Sequence, residues 1–477
     1  MAQVGATMLL SVAGGVVIAA TGDWRIAAAL LGGAVFLAIG MLRPALFLLA
    51  LLAIRPLLDG RPGSPGELVA VVLIGVCAIV MAGNRHVVRP RATMAFVALL
   101  AVSALACLLA MLEFRGIIGL DPLTEYVRLA ALFAMYLLAT QVVRTPDAMR
   151  TALLVVGLSG VLPSVSAIAE LLNDPEEIAS LGLVRVSGTF VNPVALSSYL
   201  ALCLLILLSL PRRDLRGWIR WPVVGLMSAA LVASYGREGW ALLLLAIIVL
   251  HWRSNKRLIA GIAVACAALL LLVPGVRDRV LPTQDVVGAE SASTFASYSF
   301  RLANWRGLLE RYGERPLTGW GLESTVIVNP RRPNGSQGNT AGGYQAHNAV
   351  VRALVEGGPP LLAAILALFA SLIAAMWRIA KPPDSPLRPY ARMIAAAWVA
   401  VLVIAITTDD VLDATALLFA LLAVTGAVEG AHRRMTTGSA DTGPMPIAAS
   451  AGVRSQSPPL ARAFRRRAAA RAPSAPT

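Results

Sequence analysis

Apolar blocks of about 16–22 residues make up most of this chain, and short polar or basic segments separate them. A bilayer core about 30 Å thick requires about 20 apolar residues for each spanning helix, so this spacing matches membrane helices. Hydrophobic residues make up 57% of the 477 residues and charged residues only 14%. Soluble proteins carry about 25% charged residues. The sequence therefore predicts an all-α fold, a polytopic membrane helical bundle, and excludes a soluble enzyme.

The bundle is predicted to have about 12–14 transmembrane helices, because one of the candidate spans is short and is interrupted by Arg55 and Pro56. One long loop, residues 274–347, is expected to contain an amphipathic helix, since its aromatic and leucine residues recur at helical spacing from 295 to 312. The candidate spans are residues 5–21, 26–42, 44–55, 67–82, 94–113, 124–143, 150–172, 193–210, 222–236, 238–252, 258–273, 348–377, 391–407 and 411–429.

Lysine and arginine are distributed unevenly between the two sets of alternating loops. One set, together with the C-terminal tail, carries 25 of them and includes both lysines, whereas the short loops of the other set carry six. The positive-inside rule is judged on short loops, so it assigns the first set and both termini to the cytoplasm. The long loop 274–347 is then extracytoplasmic.

The chain divides by composition into three parts. Residues 1–172 are N-terminal membrane helices, 173–430 hold further spans and the long loop, and 431–477 form a basic tail expected to be disordered. The tail is either a topology anchor or a surface for anionic membrane lipid. The N-terminus has no basic residue before Arg25, so it is predicted to be a membrane helix rather than a signal peptide.

Several classes of chemistry lack support in the sequence. The formal charge of +15 is spread over loops and tail rather than concentrated in one domain, which argues against nucleic acid as a partner. The four cysteines lie inside apolar blocks without CxxC spacing, and there is no His/Cys cluster or P-loop. We therefore expect no metal and no cofactor.

His347 is the one histidine that this topology places outside the cytoplasm, where the long loop re-enters the membrane. Imidazole is well suited to accept a proton near neutral pH, so His347 is a candidate general base. The alternative is a histidine that packs or forms a hydrogen bond at a helix start. The neighbouring Asn348 is a possible supporting residue.

Four outer arginines are candidates for binding a phosphate group: Arg185, Arg237 and Arg301, with Arg306 as a possible supporting residue. Guanidinium groups are planar, permanently charged and able to bind phosphate oxygens in pairs. Each arginine taken alone can also be an anchor at the membrane boundary. Their concentration on one face beside His347 favours a site.

Charged residues within the predicted spans should face protein or a water-filled cavity, because lipid does not solvate them. They are Arg128, Glu170, Arg352 and Glu356. Since Arg352 and Glu356 are four residues apart, we expect them to pair on one helix face.

Four segments in this order resemble the O-antigen ligase and polymerase family of bacterial membrane glycosyltransferases. The resemblance covers about residues 185–375, and no one of its motifs is specific by itself. The segments are SGTFVNPVALSSYLAL (187–202), ASYGREGWALLLL (233–245), SFRLANWRGLLERYGERPLTGWGLES (299–324) and AHNAVVRALVEGGPP (346–360).

The resemblance implies a multi-pass protein of the bacterial inner membrane with its active site on the periplasmic face. Such enzymes take a glycan from an undecaprenyl-diphosphate carrier and pass it, with inversion and without metal, to lipid A core, to another lipid-linked glycan or sometimes to protein. It also implies that His347 activates the acceptor hydroxyl, that Arg237 and Arg301 hold the diphosphate, and that Arg185 is a weaker match. The sequence departs from the family pattern at Val194 and Glu238.

Two other hypotheses stay open at this stage. A flippase or transporter for lipid-linked oligosaccharides can have as many spans, although transporters usually show repeated halves. A peptidoglycan-type polymerase would use an outer acidic residue as its base, and Asp409, Asp410 and Asp413 are available for that role.

Overall fold

The protein was studied as a computed structural model. It describes residues 35, 37–59, 66–84, 87–173, 185–252, 254–257, 259–261, 264, 271, 298–330, 345–408 and 415–436. These residues are mostly helical and contain no strand, which confirms the predicted all-α bundle. The described residues belong to one compact unit. The tail predicted to be disordered lies beyond Thr436, outside the described residues, except that 431–436 continue the last helix.

The helices follow the predicted spans closely, usually within a few residues at each end. They are α1 (Pro44–Ile54, continued by a 3₁₀ turn at Arg55–Leu57), α2 (Gly66–Gly83), α3 (Thr93–Glu113), α4 (Asp121–Val142), α5 (Pro146–Ser159), α6 (Val161–Asn173), α7 (Pro193–Ser209), α8 (Gly217–Ala233), α9 (Arg237–His251), α10 (Tyr298–Glu314), α11 (Thr325–Val328), α12 (Ala349–Ala380), α13 (Arg388–Ile404) and α14 (Ala416–Thr436).

Among the described helices, α3, α4, α5 together with α6, α12 and α14 are long and apolar enough to cross a membrane. The chain is therefore a multi-pass membrane protein. The predicted spans 5–21, 26–42 and 258–273 lie wholly or mostly outside the described residues. The count of 12–14 spans consequently stays a prediction.

Two helices form the centre of the described bundle. Every residue from Ala195 to Leu207 in α7 is buried, as is every residue from Ala416 to Ala431 in α14. A helix that is apolar on all sides is stable only when other helices surround it or lipid covers it. Here α14 packs against α4 and α5, while α7 packs against α5, α8 and α9.

Small residues allow α14 to approach α4 closely. A Cβ atom at Gly426 would lie 2.6 Å from the carbonyl oxygen of Tyr136, and one at Gly430 would lie 2.6 Å from that of Thr140. Glycines four residues apart form one flat strip along a helix, which is a common way for membrane helices to pack. Any larger side chain at either position would separate the two helices.

A buried carboxylate next to Gly430 fixes the same helix pair. Glu429 of α14 is fully buried and accepts hydrogen bonds from the Tyr136 hydroxyl at 2.5 Å and the Arg91 backbone N–H at 2.8 Å. The Arg433 guanidinium lies 3.1 Å from the same carboxylate. These partners replace the water that the charge loses on burial.

Helix α12 is broken rather than continuous, which the predicted span 348–377 did not anticipate. Gly358 has a φ of 65°, and Pro359 and Pro360 follow it. Proline has no backbone N–H, so the carbonyl groups four residues earlier, at Val355 and Glu356, lose their intrahelical donors. Two strong acceptors are thus left free inside the protein.

The segment 316–322 of the long loop supplies the missing donors. The backbone N–H of Trp320 donates to the carbonyl oxygen of Val355 at 2.7 Å, and that of Gly321 donates to Glu356 at 2.9 Å. Gly319 makes this approach possible, because a Cβ atom there would lie 2.5 Å from the Val355 oxygen. The motifs PLTGWG and VEGGPP, far apart in sequence, therefore meet at the break in α12.

A buried ion cluster holds the same contact from its other side. Arg352 pairs with Glu356 at 3.0 Å, as the sequence predicted, and also with Glu323, which directly follows the docked segment 316–322. The Thr325 hydroxyl donates to Glu356 at 2.9 Å. The pair within the helix thus extends to a cluster that joins α12 to the long loop.

The predicted single span 150–172 is two helices, α5 and α6, which meet at Gly160. Pro163 lies in the first turn of α6, where a missing N–H costs no hydrogen bond. Glu170 near the end of α6 faces protein, as expected, and accepts the backbone N–H groups of Ser187 at 3.1 Å and Gly188 at 2.8 Å.

Truncation of Arg352 tests the stability of the loop contact. Arg352→Ala leaves the Glu356 carboxylate buried without its cation, so we expect a loss of about 3–5 kcal/mol in the free energy of unfolding. Arg306→Ala is the matched control, since its ion pair with Glu310 is largely exposed and should contribute under about 1 kcal/mol. Thermal unfolding in detergent compares them, and equal shifts would contradict the buried cluster.

Candidate active site

Three of the four predicted arginines gather at one end of the bundle. Arg185 lies just before α7, Arg237 is the first residue of α9, and Arg301 lies in the first turn of α10. Glu238 joins them, with its carboxylate 3.4 Å from Nη2 of Arg301. The charges of Arg237, Arg301 and Glu238 all act on Arg185. Three guanidinium groups and one carboxylate give this cluster, called here the arginine cluster, a net charge of +2.

The environment of Arg185 disfavours its own charge. Burial lowers the pKa of the Arg185 guanidinium, the nearby Glu238 carboxylate opposes that effect, and the charges of Arg237 and Arg301 lower the pKa further. Its Nε donates to the carbonyl oxygen of Ser234 at 3.4 Å, which fixes the side chain over the start of α9. Like charges held together in a partly dry site are relieved by a bound anion.

The turn into α9 determines where Arg237 lies. Tyr235 has a φ of 48°, so the chain bends sharply before the helix starts. A Cβ atom at Gly236 would lie 2.1 Å from Oγ of Ser197, and one at Gly239 would lie 2.4 Å from the Ser197 backbone. Only glycine at these positions lets α9 rest on α7 and brings Arg237 to the cluster.

Arg301 combines fixed contacts with a donor that has no partner in the described part of the chain. Its Nη1 donates to the carbonyl oxygen of Thr407 at 2.7 Å, and Nη2 faces Glu238. Its Nε is buried and forms no hydrogen bond with the described residues. A buried N–H group without an acceptor is costly, so this group favours an incoming oxygen.

His347 lies in a backbone segment that is held on both sides. Before it, the Trp305 indole N–H donates to the carbonyl oxygen of Ala346 at 2.7 Å, and the Asn304 amide donates to that of Gln345 at 3.0 Å. After it, the Asn348 side chain caps α12 by accepting from two backbone N–H groups, at 2.9 and 3.1 Å. His347 itself has a φ of 49° and is partly exposed.

The same helix face connects His347 to the arginine cluster. Asn304 and Trp305 lie three and four residues after Arg301, so all three face the same direction on α10. The turn after α13 joins them from the other side. Its Thr407 carbonyl accepts from Arg301, and its Thr408 carbonyl accepts from the first N–H of α12, that of Ala349, at 3.2 Å.

The two residues predicted to support the site, Arg306 and Asn348, do not contribute side chains to the arginine cluster. Arg306 lies on the opposite face of α10, is 84% exposed and pairs with Glu310 at 3.4 Å. The described contacts of the cluster do not include it. Asn348 is adjacent to His347, but its amide oxygen is used by the helix cap. Its role is therefore to fix the start of α12.

Sequence reasoning missed Asn304, Trp305 and the turn at 405–408 as parts of this site. Helical spacing from Arg301 was the available signal for the two side chains, whereas the turn contributes only carbonyl groups, which no residue type reveals. The acidic residues Asp409, Asp410 and Asp413 lie outside the described residues. In the described part of the chain, no three His, Cys, Asp or Glu residues lie together in a group able to hold a metal ion.

Comparison with known proteins gives one family. No curated protein matches the chain. Residues 222–366 match the family model described as O-Antigen ligase, and this segment includes Arg237, Arg301 and His347 but not Arg185. The similarity to this family covers 145 of the 477 residues, and the all-α membrane bundle is compatible with it.

Proposed function

We propose that this protein is a metal-independent, inverting membrane glycosyltransferase of the O-antigen ligase type. It takes a glycan from an undecaprenyl-diphosphate carrier and transfers it to a hydroxyl group on lipid A core or on another glycan. The observation that carries the proposal is the arginine cluster of Arg185, Arg237 and Arg301, together with His347, whose backbone is fixed by hydrogen bonds to its neighbours. The family match at 222–366 supports the same chemistry.

The arginine cluster suits a diphosphate leaving group. When the sugar leaves the carrier, the oxygen of the terminal phosphate takes the electron pair of the broken bond and gains negative charge. Fixed positive charge in a site of low dielectric stabilises such a transition state without reorganisation. The unpartnered Nε of Arg301 and the crowded charges of the cluster supply that stabilisation.

His347 suits the role of general base. The acceptor hydroxyl attacks the anomeric carbon on the side opposite the diphosphate, and His347 takes the hydroxyl proton as the new C–O bond forms. Attack from the opposite side inverts the configuration at that carbon. Because Ala346 and Asn348 hold the backbone on both sides, the imidazole needs little ordering before reaction.

The proposed sidedness follows from loop charge. The short loops on one face carry far more lysine and arginine than those on the other, which favours cytoplasmic termini and an extracytoplasmic site. The end of the bundle that holds the arginine cluster then faces the periplasm of a bacterial inner membrane, where lipid-linked glycans are available.

His347→Asn separates the catalytic role from the structural role. Asparagine tolerates a positive φ, so the backbone should keep its φ of 49° while the base is lost. We expect transfer to fall by about 10²–10⁴-fold with little change in thermal stability or in donor binding. Glycan transfer from purified lipid-linked donor in detergent measures this. Transfer at the wild-type rate would rule out His347 as base.

A deletion strain tests the function in the cell. Full-length polymer stranded on its carrier identifies a ligase, and single repeat units identify a polymerase. Complementation with wild type should restore the surface glycan, and complementation with His347→Asn should not. A normal glycan profile in the deletion strain would favour a transporter or another pathway.

Arg301→Gln and Arg306→Gln form a matched pair on one helix. We expect Arg301→Gln to lower kcat/KM for the lipid-linked donor by about 10²–10³-fold, because it removes a preorganised donor to the diphosphate. Arg306→Gln should change it by less than twofold, since that side chain is 84% exposed on the other face. Equal losses in the two variants would show that general positive charge, rather than this cluster, binds the donor.

Glu238 sets the net charge of the arginine cluster. Glu238→Gln raises that charge from +2 to +3 and removes the anion that competes with phosphate for Arg301. We expect a KM for the donor several-fold lower, with a steeper dependence on salt. The KM measured at low and high ionic strength checks this, and a higher KM would show that Glu238 instead orients Arg301 for binding.

A further inference from the structure

A second concave site lies at the same end of the bundle as His347, and the chemistry above does not use it. It is a cavity of about 400 Å³ between the end of α3, the end of α10 and the docked loop. Its walls include Phe114, Arg311, Trp320 and Asn329. This volume is within the range of about 300–1,000 Å³ for small-molecule sites.

The lining of the cavity combines aromatic rings with polar hydrogen-bonding groups. The Phe114 and Trp320 rings are 6.4 Å apart at an angle of 37°. Arg315 does not line the cavity, but its guanidinium supports the Trp320 ring at 4.2 Å from the ring centroid. The indole N–H donates to the carbonyl oxygen of Arg311 at 2.9 Å, which fixes the ring in place. Apolar C–H faces of a sugar ring pack on such aromatic surfaces, and guanidinium and amide groups bind its hydroxyls.

The distance from the arginine cluster suits an extended glycan. Arg301 and Arg311 are ten residues apart on α10, which corresponds to about 15 Å along the helix. That is the length of a short oligosaccharide, so the cavity lies beyond the sugar that reacts.

Hydrogen bonds link the cavity wall to the segment that holds His347. The Asn329 amide donates to the Asn304 side-chain oxygen at 2.9 Å, and the Asn304 amide donates to the carbonyl oxygen of Gln345 at 3.0 Å. His347 follows two residues later. A ligand that contacts Asn329 is therefore connected to the segment of the base through two hydrogen bonds.

We propose that this cavity is a glycan subsite, which binds one or two sugar rings of a substrate at a distance from the transferred bond. The proposal rests on the proposed glycosyltransferase function. The bound sugars belong either to the donor glycan or to the acceptor glycan, since the chemistry of recognition is the same. They add binding energy that a substrate trimmed to one sugar lacks.

The test uses Phe114→Leu and Arg311→Gln, separately and together, in the full-length protein. Phe114 is only partly buried, and the Arg311 ion pair with Glu314 is about half exposed, so both variants should fold. The neighbouring Arg115→Gln is the matched control, because Arg115 is exposed and does not line the cavity. Thermal unfolding confirms that the variants are intact.

Glycan transfer is measured in two series of experiments. One series varies the length of the donor glycan, and the other varies the length of the acceptor glycan. We expect the double variant to lose at least tenfold in kcat/KM with full-length glycan and less than twofold with glycan trimmed to one sugar. A loss that depends on donor length assigns the cavity to the donor, and one that depends on acceptor length assigns it to the acceptor. Equal losses with long and trimmed substrates, or no loss, would overturn the proposal.

A binding measurement distinguishes failure of the subsite from failure of the proposed function. The probe is free oligosaccharide released by mild acid from the host cell's own surface glycan, observed by saturation-transfer NMR. It should bind to wild type and to His347→Asn, and at least tenfold more weakly to the double variant. If wild type transfers glycan but the probe binds all variants equally, the subsite is wrong. If wild type transfers no glycan, the proposed function itself is wrong.

Discussion

The break in α12 is the constraint on which the end of the bundle that holds the arginine cluster depends. Pro359 and Pro360 remove two backbone donors, and the free carbonyls of Val355 and Glu356 must find partners inside a nonpolar protein. The loop N–H groups of Trp320 and Gly321 are those partners. A loop that could have lain loosely over the membrane is thereby fixed in register against a spanning helix.

That register determines the positions of the neighbouring parts. Glu323 follows the docked segment and reaches Arg352, which in turn pairs with Glu356. Upstream, α10 packs against α12 through Leu308, which is buried beside Val351 and Val355. With α10 held there, its first turn brings Arg301 to Glu238 and its next residues bind the segment before His347. The backbone hydrogen bonds at the break in α12 thus help to position side chains from the docked segment, α10, α9 and the start of α12.

The sequence is sufficient to predict where the helices lie, but it does not predict how the helices break or how separate segments contact each other. Apolar block lengths located the described spans to within a few residues, because bilayer thickness fixes helix length whatever the packing. Residue type also identified arginines that the fold brings together. The left-handed backbone of His347 depends on tertiary contacts, so no local pattern revealed it. The run from Gly358 to Pro360 is itself a local signal for a helix break, but what the freed carbonyl groups bind is decided by tertiary contacts. Arg306 shows that residue type and position near Arg301 are not enough to identify a member of the cluster. Its position around α10 directs its side chain away from the cluster.

The most buried long helix, α14, is also the last in chain order among the described helices. During synthesis its partner α4 therefore enters the membrane well before the glycine strip of Gly426 and Gly430 exists to cover it. Until Glu429 arrives, the Tyr136 hydroxyl lacks its acceptor within the bilayer. Assembly consequently ends with an insertion step into a nearly complete bundle. Chains that stop before residue 416 would leave the Tyr136 hydroxyl and the neighbouring α4 surface without the helix that covers them.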